Sequence, residues 1–565
     1  MWVTWLGLAV SGCSAEIGVP GGTDEMPGAP RPVSGSDGPG GVGSGGADDG
    51  VGAGGTGRPP PDCSGAAVPV DTARRLNVTE LNTIASDVLA IDDAPFDAVG
   101  TDYGERVGAF LGTTERFISD YFDVTEDVAR RFVTERNVAV ECRTASCAAA
   151  ELRSTITLLL RRPVTQVRLQ ALESLAQEAM DSGLGMTEAM TSIIWSVLNA
   201  PDFLLIGTQV GATPGPHVLD GYSVAERMAL ALWNSVPDAQ LIASAEAGAL
   251  LTDEGIEREV RRMLSNPVKG TRFLDGFVRT HFDLASGAAI PPGLDGFSDA
   301  GQLAADMGTE ARLLIEQVFR ENRNIDRLIR SDSTFLNRRL SRHYGLSDPG
   351  GSGFSEAPTE GTERIAGLLT TAAVLAQEGD LIHRGVNILQ SFMCLPLVAP
   401  DPEILEAASS ELPADASVRE QVAFRTSNTA CAGCHRLIDP LGAAFERFDE
   451  AGQIRSQYEN GDSVLYDAEF LGRRLRNPDD VTQALVEGDF ASCLSSQLLG
   501  WVSSRRMSLS RKNDSCASEA VLTAARGTVD GSEVTSGDAA SSQVGFQDIV
   551  VQAILSETFR TRVVD

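Results

Sequence analysis

The sequence predicts a mainly α protein, several fused helical domains preceded by a disordered linker. Three observations predict it. Apolar residues recur at three-and-four spacing through most of the chain, few stretches alternate with period two, and the glycines concentrate before residue 66.

The first residues read as an export signal. Trp2 to Val10 is a short apolar run ending in Val10-Ser11-Gly12-Cys13, small residues before a cysteine as in a bacterial lipobox. On this reading residues 1–13 are a lipoprotein-type signal segment and Cys13 carries the lipid, each buried methylene worth about 0.8 kcal/mol to the bilayer. The protein is then periplasmic or at the cell surface, anchored to the membrane through its N-terminus. The run lacks the preceding Lys or Arg of a signal peptide, which would place the true start upstream; a plain secretion signal with a coincidental cysteine is the alternative. No other segment offers the roughly 18 apolar residues of a membrane span. Residues 14–66 are dominated by Gly, Pro, Ser and Asp, too poor in apolar surface to offset ordering entropy, and read as a disordered spacer.

Helical signals then follow in order. Leu76, Leu81, Ile84, Val88 and Leu89 share one face, with Asn77 or Thr79 available as cap. A helix begins near Cys142-Arg143-Thr144-Ala145-Ser146-Cys147, and Ile193, Ile194, Val197 and Leu198 form another before Pro201. Further helices are expected at Val224 to Asn234, Asp253 to Leu264, Asp306 to Arg320 and Leu498 to Met507. About 500 residues of such pattern suffice for three or four cores.

Charge excludes some partners. With 46 Lys and Arg against 78 Asp and Glu the net charge is −32, which repels nucleic acid and anionic lipid and favours a cationic partner. Of nine cysteines, setting aside Cys13, Cys431 and Cys434 leaves Cys63, Cys142, Cys147, Cys394, Cys493 and Cys516. An even remainder in an exported chain is read as disulfides, Cys142 with Cys147 being close enough to staple one turn. Cys493 with Cys516 would lock two C-terminal helices, though the pairing of Cys63, Cys394, Cys493 and Cys516 is open from sequence.

The strongest chemical signal is Cys431-Ala432-Gly433-Cys434-His435. Two thiols at this spacing add to the two vinyl groups of a porphyrin, and the adjacent imidazole reaches the iron as proximal ligand. Cys431, Cys434 and His435 are therefore expected to hold covalent haem c. A thioredoxin-like Cys-x-x-Cys should instead follow a strand, and a zinc site needs a second Cys/His pair, whereas the remaining candidates are scattered. Asp439-Pro440 is expected to end the short attachment helix, with the carboxylate free to accept a hydrogen bond. Glu446 and Asp449 read as a solvated face, and Arg455 as a partner for a haem propionate or for an ordinary carboxylate.

These motifs lie in an order that resembles a known family. Arg74-Arg75-Leu76 with Glu80-Leu81-Asn82, Arg161-Arg162-Pro163, Leu232-Trp233-Asn234-Ser235, Thr334-Phe335-Leu336-Asn337, His343-Tyr344-Gly345, His383-Arg384-Gly385, the pentapeptide, and Asp439-Pro440-Leu441-Gly442 succeed one another. The chain after the linker is similar to multidomain haem-motif proteins of planctomycete-type bacteria, catalogued as successive domains of unknown function. The resemblance implies helical domains at 67–135, 136–212 and 213–350, a cytochrome-c-like haem domain at 351–460 and a C-terminal helical domain at 461–565. Where relatives often carry a histidine six residues before the first haem cysteine, this chain has Arg425.

The sixth iron ligand separates electron transfer from substrate chemistry. Met507, Met393 and His383 are the candidates; His343 and His281, flanked by apolar residues, read as satisfied core histidines. No Gly-x-Ser-x-Gly elbow or phosphate-binding loop is present. Three functions remain: an anchored c-type cytochrome relaying electrons to a redox partner protein, a haem-dependent oxidoreductase or peroxidase, and a surface scaffold or binding module.

Overall fold

Local capping sets most of the helices. The computed structural model describes residues 61–68, 74–100, 115–139, 142–207, 213–282, 292–294, 296–351, 353–397, 416–465, 467–527 and 544–564; Cys13 and the linker up to residue 60 lie outside them. Asn77, not Thr79, caps Val78–Ile84, accepting from the Glu80 N–H while the Glu80 carboxylate accepts from the Asn77 N–H. The Thr144, Thr165 and Thr252 hydroxyls cap Ala145–Glu151, Gln166–Asp181 and Asp253–Leu264 one way only, accepting from the N–H groups of Cys147, Arg168 and Gly255. Met186–Leu198 stops before Pro201, which opens Pro201–Leu204 where its missing N–H costs no helical bond. The helix expected from Val224 starts earlier, as Gly221–Trp233, capped by Asp220 and closed by left-handed Asn234; that expected from Asp306 runs Ala300–Arg320.

Two helices end elsewhere than predicted. The C-terminal one is Phe490–Ser503, terminated by Ser504 in the left-handed region (φ 54°), with the Arg505 N–H on the Gly500 carbonyl, so Met507 stands outside it. The expected attachment helix, Ala432–Ala443, passes through Pro440 rather than stopping there. Burial of Asp439 through Ala443 holds the chain helical against the local preference.

The fold is mainly α. Among the described residues, strands form four two-stranded antiparallel pairs, and two of them close large chain separations: Arg74–Arg75 with Leu205–Ile206 and Gly215–Val218 with Thr561–Val564. One core draws on residues from Leu219 to Phe559, another on Leu76 to Val236. Gly221–Trp233 serves both, giving Met228, Leu232 and Trp233 to the first and Leu230 to the second. Arg272 adds a bidentate bridge between them, 2.7 and 2.8 Å to Asp87.

Cys142 pairs with Cys147. Cys493 and Cys516 do not pair with each other: Cys493 bonds Cys394, and Cys516 bonds Cys63. The two thiols leave their helices toward different neighbours. Cys493 faces the segment carrying Ser391 and Cys394, while Cys516 faces residues 61–68, which Lys512 also holds through Ser64 O (2.7 Å) and Asn513 through Ala67 N (3.1 Å). The end of the expected linker is thus tied to helix Lys512–Arg526.

Candidate functional site

Cys431 is the N-cap of Ala432–Ala443, and the Cys434 and His435 N–H groups both donate to its carbonyl at 3.2 and 3.0 Å. Residues 431, 434 and 435 therefore share one face of the first turn. Among the described residues the two cysteines are the ones without a disulfide, Cys434 exposed and Cys431 partly so. A side chain at Gly433 would meet nothing within 4 Å.

His435 is oriented from behind. Its Nδ1 lies 2.8 Å from Oδ1 of Asp439, one turn on, and the Asp439 carboxylate is fully buried. The other oxygen, Oδ2, accepts from Arg425 Nε at 3.0 Å. Held this way, Nδ1 carries the proton and Nε2 is left as a lone-pair donor. The donor set thus fits a c-type haem: two unpaired thiols at the attachment spacing and an imidazole with its tautomer imposed.

The helix is placed by a close crossing with Leu381–Asn387. A Cβ on Gly385 would collide with the Ile438 carbonyl, and one on Gly442 with the Leu381 carbonyl, so the helices touch backbone to backbone and run antiparallel. Arg384, almost fully buried, donates to the carbonyls of Leu375 (3.2 Å), Phe445 (3.2 Å), Phe448 (2.8 Å) and Asp449 (2.7 Å). It pins the turn after the attachment helix to the helix before it.

Other predicted positions resolve differently. Glu446 is buried and takes Arg455 at 3.0 Å, so Arg455 makes the ordinary salt bridge. Asp449 accepts from the Ala451 and Gln453 N–H groups, closing a loop. Neither carboxylate belongs to a solvated face. His383 is exposed, with Nδ1 2.8 Å from its own helix cap Asp380, at the end of the crossing away from the cysteines. Met393 lies at the opposite end, after the turn Ile388–Phe392, with its side chain in the main core; Met507 is half-buried against that core. His343 is satisfied, through Ala451 O at 2.8 Å. His281 is not: it packs on Phe277 and Trp501, its Nε2 has no hydrogen-bond partner among the described residues, and burial pushes its imidazole down to about 4.

The two alternatives to haem, a thioredoxin-like pair and half of a zinc site, find little support around the pentapeptide. The pentapeptide follows a helix, Val418–Ser427, rather than a strand, and among the described residues no group of three or more His, Cys, Asp or Glu stands ready for a metal ion. Sequence reasoning placed Arg425 where relatives often carry a histidine but did not find its contact with Asp439, nor that of Asp439 with His435. The signal was the His435/Asp439 spacing of one helical turn, which only counts if the helix continues past Pro440.

Residues 219–346 match the family model described as PSD4, protein of unknown function (DUF1592), and residues 365–458, which include the pentapeptide, match PSCyt3, protein of unknown function (DUF1588). These two domains belong to the planctomycete-type, cytochrome-c-like multidomain family. No curated protein and no solved structure matches the chain.

Proposed function

We propose, for a chain whose centre carries these two domains, that Cys431, Cys434 and His435 hold haem c and that the protein relays single electrons outside the cytoplasm, tethered to a membrane by lipid on Cys13. The observation that carries this reading is the placing of two unpaired thiols and a carboxylate-anchored imidazole on one face of a helix. When bound, the group supplies a one-electron iron couple whose potential follows its axial ligands and surroundings. The chain's own part is to add each thiol S–H across a vinyl double bond, to present Nε2 of His435, and to keep its Nδ1 proton on Asp439. The net charge of −32 favours a cationic redox partner and disfavours nucleic acid.

The experiment is to mature the protein in a host with haem-attachment machinery, extract it with acid acetone and stain a denaturing gel for haem. Haem that stays with the parent and extracts from a Cys431→Ser, Cys434→Ser variant supports the reading; haem that never appears removes it and leaves the scaffold function. Mass spectrometry of the mature N-terminus tests Cys13. A second reading, haem-dependent oxidoreductase, is favoured by the Asp439–His435 bond, because a carboxylate-held imidazole is a stronger donor to iron. A high-spin spectrum that shifts with azide or cyanide selects it; a reduced low-spin spectrum unaffected by either selects electron relay.

A further inference from the structure

We infer that Arg425 is a positioning residue for the proximal imidazole, drawing on the Asp439 carboxylate so as to weaken its pull on His435 and raise the tendency of the iron to take an electron. The inference rests on the haem reading and extends it to the control of potential.

Asp439 is fully buried and its two oxygens serve two donors, His435 at 2.8 Å and Arg425 at 3.0 Å. In so dry a site the hydrogen bonds polarise one another, and a carboxylate shared with a guanidinium accepts less strongly from an imidazole than one facing it alone. Arg425 is also an odd member of its helix. None of the residues of Val418–Ser427 is buried, yet the Arg425 side chain is 14% exposed and turned onto Asp439. The helix delivers a cation to the back of the candidate ligand. Without Arg425, Asp439 would give its full charge to the His435 N–H, His435 would donate more strongly, and the ferric state would gain over the ferrous. Loss of the positive charge acts in the same direction. The couple concerned is ferric haem taking one electron from an external reductant, with no protein bond made or broken.

The test is a mediated redox titration of the full-length, haem-loaded protein and of Arg425→Gln, Arg425→Lys and Asp439→Asn, with haem content measured by pyridine haemochrome. Arg425→Gln should move the one-electron equilibrium about tenfold toward ferric, a potential lower by about 59 mV. Arg425→Lys, which keeps the charge, should stay close to the parent. Asp439→Asn should move the potential upward. Full haem content with an unchanged potential in Arg425→Gln makes the ion pair purely structural and overturns the inference while the haem reading stands. Should Arg425→Gln fail to mature, an unchanged potential in Asp439→Asn overturns it equally. A parent without haem overturns both.

Discussion

Helix Gly221–Trp233 buries every residue but Tyr222 and Glu226, whereas Val418–Ser427 buries none. The first is held by apolar area taken from water on all sides and lies where two cores meet. The second is held by two polar devices, a capping box between Ser417 and Glu420 and the Arg425–Asp439 bridge, and by a little apolar contact, half-buried Val418 and Val422 resting on a small cluster of Leu381, Ala443 and Leu465. The contrast separates residues that carry stability from residues that aim chemistry. Changes in the first region should unfold the protein; changes in the second should leave it folded and alter the site.

The largest expected effects test whether that division is sharp. Trp233→Ala removes a fully buried indole and its N–H bond to the Met263 carbonyl (3.0 Å), and should cost about 3–5 kcal/mol in denaturant unfolding. Arg384→Ala, on Leu381–Asn387 and in neither of the two helices compared, should cost a similar amount, about 3–5 kcal/mol, because four carbonyls lose a buried cation. A small loss at Arg384 would mean that the attachment helix is placed by something other than this hub.

Next in size is a pH effect away from both helices. Glu310, on Ala300–Arg320, accepts from Thr334 (2.6 Å) and Tyr344, and burial pushes its carboxyl from 4.5 up to about 7. Between those values the folded protein keeps a proton that the unfolded chain has released, so the contribution is complete below pH 4.5 and is lost as pH rises through 7. The loss is roughly 3 kcal/mol across the window. Glu310→Gln should flatten the stability curve there, and parallel curves for parent and variant would reject the assignment.

Smaller effects sharpen the picture at the site itself. Gly385→Ala forces a methyl against the Ile438 carbonyl and should cost about 1–3 kcal/mol, read as a lower denaturation midpoint with unchanged slope. Arg419→Ala, on the exposed face of Val418–Ser427, should change stability by no more than about 0.5 kcal/mol. A cost comparable to that of Gly385→Ala would show that this face is covered.

Much of the helical framework was legible because its signals are local. Thr252 caps a helix that runs from Asp253 to Leu264, as its apolar spacing predicts, and Asn77 with Glu80 forms a box readable from three residues' separation. Cys142 and Cys147, five residues apart, pair as expected. The misreadings share a cause. Ser504 adopts a left-handed conformation that no glycine announced, so the helix stops short of Met507. Pro440 was read by its intrinsic preference, and the packing that overrode it came from Leu381–Asn387, some fifty residues earlier in the chain.

Fold class, cysteine parity and the residue types at Cys431, Cys434 and His435 follow from the chain alone, because helix periodicity and side-chain identity depend on neighbours within a turn or two. How Cys63, Cys394, Cys493 and Cys516 pair came only from the folded chain, since Cys63 and Cys516 are 453 residues apart and any of several pairings satisfied the count. Tertiary structure also decided that Asp439 stands behind His435 with Arg425 on its far oxygen. The helix that carries His435 and Asp439 is itself placed by a crossing at which Gly385 and Gly442 let two helix backbones touch, and the energy of such a contact is invisible until both helices are in place.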